Sequence, residues 1–318
     1  MLTTKYILCH GSGNRFLMLD AVQEPRLEQL AAQPSLIARL CREVGNTDGL
    51  LLTVAVGETY GMRMFNTDGS EAEMCGNGIR CVARQAQQYV GPCDTFDLYS
   101  GGKRHAIRRE EPIFGTIPTY RVGIGIRLST PDFTPSMGRE EGFVGEVIPS
   151  LDAELRFTYL NLGNPHLVAA VDAIDLDRLA LLGERVKQLG DILPHGTNVS
   201  LYRPMGEQTI YTATYERGVG LTASCGTAMT ASSTAACLMG YCRHGEPITV
   251  LNSGGRVRCC SMRSEAGLLT TLSGNATYEG EGTIALDLAQ GSYREVAPYR
   301  INEAEVAEYN RFLQTIQA

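Results

Sequence analysis

The sequence predicts a mixed α/β protein made of two similar halves, each a set of strands around one buried helix. Three observations carry that prediction. Met74-Cys75-Gly76-Asn77-Gly78 and Ser224-Cys225-Gly226-Thr227-Ala228 each put a cysteine at the turn into a helix, once per half. The helix behind Cys225, residues 226–240, has no charged residue, and a helix that is small and apolar all round is a buried one. Strand-like apolar runs flank both helices.

Taken in order, the first half opens with a strand over 5–9, a turn at His10 to Asn14 and a second strand over 16–20. Residues 34–44 place Leu36, Ile37, Leu40, Cys41 and Val44 on one helical face, with Pro34 in the first turn. Leu50 to Val56 is a continuous apolar strand. The helix after Cys75 carries Ile79, Val82, Ala83 and Ala86 inward, and strands near 94–99 and 121–129 flank a loop containing Gly, Arg and Pro. The second half repeats the plan. Strands are expected at 155–162, 166–171 and 209–216, with a helix over 175–189 whose Leu176, Leu179, Leu182, Val186 and Leu189 share a face. The turn Arg217 to Gly220 leads to Cys225, and strands 248–253, 256–262 and 268–273 wrap the helix behind it. The tail beyond about 289 is polar, with one amphipathic helix near 302–316, and reads as an appendage.

Composition narrows the function. A chain of 318 residues favours two domains. Its net charge of −7 and lack of a basic run argue against nucleic acid. No stretch approaches the roughly 18 apolar residues of a membrane span. The N-terminus, MLTTKYILCHGSGNRF, lacks the layout of a signal peptide. Ten cysteines with no Cys-x-x-Cys, in a chain of this length without an export signal, read as free thiols of a cytoplasmic protein. The five histidines (10, 105, 166, 195, 244) do not fall at zinc-like spacings, so no metal site is expected.

A cysteine works as its thiolate, so its pKa near 8.5 must be lowered or its proton handed on. A helix N-terminus supplies partial positive charge and unpaired N–H groups, which also bind carboxylate. Glycine behind the cysteine allows close approach of a ligand to the backbone. Two such units acting on one carbon suit a reaction in which one thiol removes a proton and the other returns it from the opposite face. That is racemisation or epimerisation without a cofactor. A Cys-Gly pair alone is weak evidence, because cysteine is often only a small buried residue. The other eight cysteines are read in that structural sense. Cys259 and Cys260, adjacent in a strand, face opposite ways.

The matching strings then extend nearly end to end: HGSGNRF (10–16), FNTDGSEAEMCGNGIRC (65–81), LGNPH (162–166), LPHGTNVSLY (193–202), YERGVG (215–220), SCGTA (224–228) and LSGNATYEGEG (272–282). With them the chain resembles the diaminopimelate epimerases, pyridoxal-independent enzymes that invert one α-centre of diaminopimelate on the way to lysine and peptidoglycan precursors. Proline and hydroxyproline epimerases resemble it less, because their first motif has His where this chain has Asn77.

The resemblance implies two pseudo-symmetric domains, 1–125 with about 277–318, and 126–276, each a curved mixed sheet around a central helix, with the site in the cleft between them. It implies Cys75 and Cys225 as the acid–base pair. Gly76, Asn77, Gly226 and Thr227 then offer N–H groups to the α-carboxylate. Asn14, Asn66, Asn164, Asn198 and Arg217 match substrate-contacting positions, with Arg217 and the asparagines at the distal end. A guanidinium suits a carboxylate, and amides suit a zwitterion. Glu216 and His166 match the polar pair beside the thiols and would place the amine or tune the thiols. A histidine titrating near neutrality suits a thiol's proton, although His166 could also cap a turn. His10 and His195 read as turn residues.

No cofactor or metal is expected. The expected partner is a small amino acid, and homodimerisation is left open. Arg15 stands where the family commonly has Asp, Leu221 where many members have Glu, and residues beyond about 287 are extra. These departures leave room for a same-fold racemase or epimerase of another amino acid. A thiol-independent isomerase or silent binding relative is the more distant alternative.

Overall fold

The computed structural model describes residues 1–128, 142–265 and 267–316. The chain folds as two compact units, Met1–Val122 with Ser273–Ala318, and Gly123–Leu272. The first unit begins with β1 (Leu2–Gly11), β2 (Asn14–Asp20), a 3₁₀ segment (Pro25–Ala32), α1 (Pro34–Glu43), β3 (Gly49–Val56), β4 (Thr59–Asn66), β5 (Glu71–Ala72), α2 (Gly76–Val90), β6 (Thr95–Ser100), β7 (Lys103–Glu110) and β8 (Thr119–Ile126). The second contains the end of β8 from Gly123, β9 (Glu146–Ile148), β10 (Asp152–Asn161), β11 (Pro165–Ala170), α3 (Leu176–Val186), β12 (Asn198–Gly206), β13 (Thr209–Glu216), β14 (Gly220–Thr222), α4 (Gly226–Leu238), β15 (Ile248–Asn252), β16 (Gly255–Ser264) and β17 (Gly267–Asn275) as far as Leu272, the rest of β17 belonging to the first unit. The chain then adds β18 (Thr277–Asp287), β19 (Ser292–Ile301) and α5 (Glu303–Ile316) to the first unit.

The pairing repeats between units. In the first, β1 runs antiparallel to β2, β2 parallel to β3, β3 antiparallel to β4, β4 parallel to β6, and β6 antiparallel to β7. In the second, β10, β11, β12, β13, β15 and β16 follow the same sequence of antiparallel and parallel neighbours. A short strand, β5 or β14, pairs antiparallel with β4 or β13 just before the central helix. The outer strands β18 and β9 lie antiparallel to β1 and β10.

Each central helix packs against the strands of its own unit, α2 on β1, β2, β3, β4 and β6, and α4 on β11, β12, β13, β15 and β16. Every α4 residue from Gly226 to Cys237 is buried. Its hydroxyls therefore bond inward: Thr230 Oγ1 reaches Gly226 O at 2.8 Å, and Ser232 meets Thr212 at 2.9 Å. α1 and α3 cover the outer face of each sheet with Leu36, Ile37, Leu40 and Cys41, and with Leu179, Leu182 and Val186. Asp175 caps α3 through the N–H groups of Asp177 and Arg178 at 2.9 and 3.0 Å.

Three sequence expectations change. The loop between 99 and 121 contains β7, whose sequence KRHAIRRE buries only Ile107, so its alternation is masked by charge. Leu176 is 53% exposed at the start of α3 and does not share the buried stripe. The tail is more than an appendage. It holds β19, paired with β18, and α5, whose Tyr309 and Phe312 close a small core with Ile113 and Ile117. The end of the strand expected at 129 lies outside the described residues. No described helix is long and apolar enough to cross a membrane. None of the ten cysteines forms a disulfide.

Candidate active site

Cys75 is the N-cap of α2, in extended conformation at φ −138° and ψ 108°. Its Sγ accepts from Gly78 N at 3.3 Å. The sulfur thus does the work an Asp or Ser side chain usually does at a helix start, and backbone N–H groups aimed at sulfur favour its thiolate. A Cβ at position 78 would lie 2.9 Å from Leu51 Cδ2, so a larger residue there would have to displace that side chain. Asn14 Oδ1 faces the same sulfur at 3.8 Å and accepts from Asn77 Nδ2 at 3.3 Å. Asn14 Nδ2 donates to Asp48 at 2.9 Å. Asn66, at the end of β4, donates to Ser70 Oγ at 2.9 Å within its own turn.

Cys225 is the N-cap of α4 with nearly the same backbone, φ −126° and ψ 111°. Its Sγ lies 3.4 Å from Thr227 Oγ1, and the Ala228 N–H, the counterpart of Gly78 N, also acts on it to favour the thiolate. Asn164 Nδ2 donates to Thr227 Oγ1 at 3.3 Å. Glu216 Oε1 accepts from Thr222 at 2.6 Å. Burial, reinforced by the Glu216 carboxylate, pushes the Cys225 thiol well above its ordinary pKa. The cysteine also borders a cavity of about 260 Å³ lined by uncharged residues, among them Thr212, Thr222, Ser224 and Asn252. None of the candidate substrate residues lies in that lining.

The repeat reaches side-chain contacts. Residues 14 and 77 bond to each other, and so do 164 and 227. Residue 80 bonds back to the carbonyl of 76 at 2.9 Å, and residue 230 to that of 226 at 2.8 Å. Asn66 and Glu216 close equivalent strands. The copies differ where chemistry would need them to. The first thiol has amides around it. The second has a carboxylate beside it.

Three other expected residues, His166, Asn198 and Arg217, gather in the second unit. His166 and Asn198 sit side by side on β11 and β12. Asn198 Oδ1 accepts from Arg217 N at 2.9 Å, and an Arg217 Nη1 donates to His195 O. His166 Nε2 meets Asn164 Oδ1 at 3.2 Å. Complete burial, with the Arg217 charge adding to it, lowers His166 to about 3. Burial therefore favours the neutral imidazole of His166 and works against the near-neutral titration expected from its type, while its Nε2 is engaged with Asn164. Gly76, Gly226 and Thr227 occupy the first turns of α2 and α4, where N–H groups have no intrahelical acceptor.

Sequence reasoning passed over Arg80. It is fully buried and spans the base of the first site. Its guanidinium donates to Gly76 O at 2.9 Å, Asn77 Oδ1 at 3.0 Å, Ser12 Oγ at 3.2 Å and Asn275 O at 3.2 Å. The signal was masked, because Arg80 shares its helix face with Asn77 and Arg84, at i−3 and i+4, and reads as part of a polar stripe. Arg15 is occupied by structure. It forks onto Glu279 at 2.7 to 3.1 Å and reaches Gly45 O at 3.0 Å.

Comparison with known proteins follows this geometry. The fold is shared with solved structures of low identity. A phenazine biosynthesis protein of the PhzF family from Bacillus anthracis matches with TM-score 0.65 at 15% identity, over 90% of this chain and all of that one. A hydroxyproline epimerase from Agrobacterium vitis matches with TM-score 0.61 at 13% identity, over 91% and 92%. The fold and the cysteine-capped helix in each unit define a class of two-unit α/β proteins built on a repeated strand and helix plan. Within it, the diaminopimelate epimerase family model matches residues 6–109 and 158–278. A diaminopimelate epimerase of Clostridium acetobutylicum is 33% identical over 315 residues, 96% of this chain and 92% of that protein. The chain belongs to the diaminopimelate epimerase family.

Proposed function

We propose that this protein interconverts LL- and meso-diaminopimelate with Cys75 and Cys225 as its acid–base pair and no cofactor. The observation that carries the reading is the doubled helix-cap cysteine, each with an Asn partner held by the residue two after the cysteine. One thiolate takes the α-proton, breaking the C–H bond. The electron pair moves into the carboxylate as an enediolate, and the opposite thiol donates a proton to the other face. Helix N-termini hold the carboxylate and stabilise the charge that builds on it. With Cys225 favoured as thiol by burial and Glu216, Cys75 is assigned to start as thiolate. Cys225, beside Glu216, is suited to start as thiol. Each turnover exchanges those states. Asn14, Asn66, Asn164, Asn198 and Arg217 are assigned to the substrate, and Glu216 to proton handling at Cys225.

Proton NMR of the reduced protein with LL-diaminopimelate in D₂O, without pyridoxal phosphate, tests this directly. Loss of the α-proton signal with appearance of the meso isomer is the expected result, and Cys75→Ala or Cys225→Ala should abolish it. Unchanged turnover in either variant would sink the two-thiol mechanism. Exchange with another amino acid only would move the substrate assignment to a same-fold racemase.

A further inference from the structure

His10 is the last residue before the Gly11-Ser12-Gly13 turn that joins β1 to β2 and delivers Asn14. That turn holds two successive left-handed residues, Ser12 at φ 54° and Gly13 at φ 84°. Serine in this conformation is strained, so the surrounding bonds must impose it. They do so from behind. His10 Nδ1 accepts from Gly13 N at 3.2 Å. Asn275 Oδ1 accepts from Ser12 N at 3.0 Å and Ser12 Oγ at 3.3 Å. Asn275 Nδ2 stands 3.4 Å from the same His10 nitrogen and donates to Thr277 at 2.8 Å.

The imidazole itself is held by the tail. Its ring meets the Tyr309 ring on α5 with centroids 4.2 Å apart. α5 is in turn clamped to α2, the helix capped by Cys75. Arg84 on α2 forks onto Glu305 with both arms at 2.7 Å, and Glu305 also accepts from Tyr278 N at 3.0 Å. Phe312 adds a ring contact to Phe114 at 4.7 Å. One helix thus touches both parts of the first-thiol site, the turn that aims Asn14 and the helix that carries Cys75. The family model's match ends at residue 278, but relatives of the same family align over the whole chain, so the tail expected to be extra is shared with them.

We propose that His10 and Tyr309 are positioning residues: α5 presses the imidazole against the 11–13 turn and so sets the aim of Asn14 at Cys75. This deepens the two-thiol reading and rests on it for its effect on turnover. Neither residue reaches the reacting carbon.

The test uses full-length chains carrying single substitutions, assayed well below their melting temperatures. Tyr309→Ala should lower kcat at least tenfold in folded protein, while Tyr309→Phe, which keeps the ring, should stay within about twofold of the parent. His10→Asn offers an oxygen near the place of Nδ1 and should retain at least fivefold more activity than His10→Leu. Iodoacetamide labelling followed by mass spectrometry supplies a readout independent of turnover. The labelling rate of Cys75 should change at least threefold in Tyr309→Ala, with Cys225 unmoved. Parent-like turnover and parent-like Cys75 labelling in folded Tyr309→Ala would overturn the proposal. If that variant fails to fold, the His10 pair decides, and equal activity of His10→Asn and His10→Leu would overturn it. A parent protein without epimerase activity would refute the functional reading instead, and the Cys75 labelling comparison would still test the positioning.

Discussion

Replacing Arg80 by methionine tests how much of the first unit hangs on one buried side chain. Methionine keeps most of the stem and removes the charge and four hydrogen bonds. The four acceptors are the carbonyls of Gly76 and Asn275, the Asn77 amide oxygen and the Ser12 hydroxyl. Hydrogen bonds to a charged group are worth roughly 1.5–3 kcal/mol each, and a buried acceptor left unmatched costs about 1–3 kcal/mol. Against this stands the desolvation of a guanidinium with no exposed surface, several kcal/mol on the same scale. Packing adds to the loss. The backbone leaves room for the guanidinium at two glycines, since a Cβ on Gly274 would lie 2.8 Å from its Cζ and one on Gly11 2.8 Å from Nη2. Methionine leaves that space unfilled. The balance is a destabilisation of about 3 kcal/mol, read as a shift in urea midpoint at constant slope. Arg80→Lys should fall between, since one ammonium cannot fork to four acceptors. Turnover should drop with Arg80→Met even at temperatures where the protein stays folded, because Ser12 and Asn77 both border Asn14. A midpoint within about 1 kcal/mol of the parent, with parent-like turnover, would refute the reasoning.

Two further outcomes follow from titration. Glu216→Gln removes the carboxylate that adds to burial in raising the Cys225 thiol, so the pH profile of Cys225 labelling should shift to lower pH; an unmoved profile would show that burial alone sets it. Acid should also destabilise the fold through its buried histidines. His10 and His166 are lowered to about 4 and about 3, in both cases chiefly by burial, against about 6.5 in an unfolded chain. Their neutral forms are favoured only in the folded state. Stability is therefore full above pH 6.5 and falls as the pH drops through the window down to 4 for His10 and 3 for His166. The loss is about 2 kcal/mol for each histidine at pH 5. Urea midpoints from pH 7.5 to 5 measure the slope, and His10→Asn should flatten part of it. A midpoint independent of pH over that range would contradict neutral burial.

Much of this molecule was legible locally. The cysteines announced both central helices because a cap, a glycine and a run of small residues act within a few positions of one another. α1 and the buried α4 followed from periodicity for the same reason. β7 was hidden because Lys103, Arg104, Arg108 and Arg109 mask a strand that buries only Ile107. β12 and β19 were missed because a strand is defined by its neighbour, here β11 or β18, and not by its own residues.

The site divides in the same way. By itself the sequence determined which residues could do the chemistry: two thiols, their glycines, and the asparagines and arginine of the quoted motifs. Only the tertiary structure decided what each has beside it. Arg15 was left open as a specificity residue until Glu279, brought in from the far end of the chain, took its guanidinium. His166 looked like a proton partner until complete burial favoured its neutral form. Arg80 and Asn275 became one support under Asn14 only when chain closure placed β18 beside β1. Caps and periodicity are energies between near neighbours and are written into a short stretch of residues. Burial and ion pairing depend on segments that meet only when the sheet closes, and no local stretch records which segment arrives.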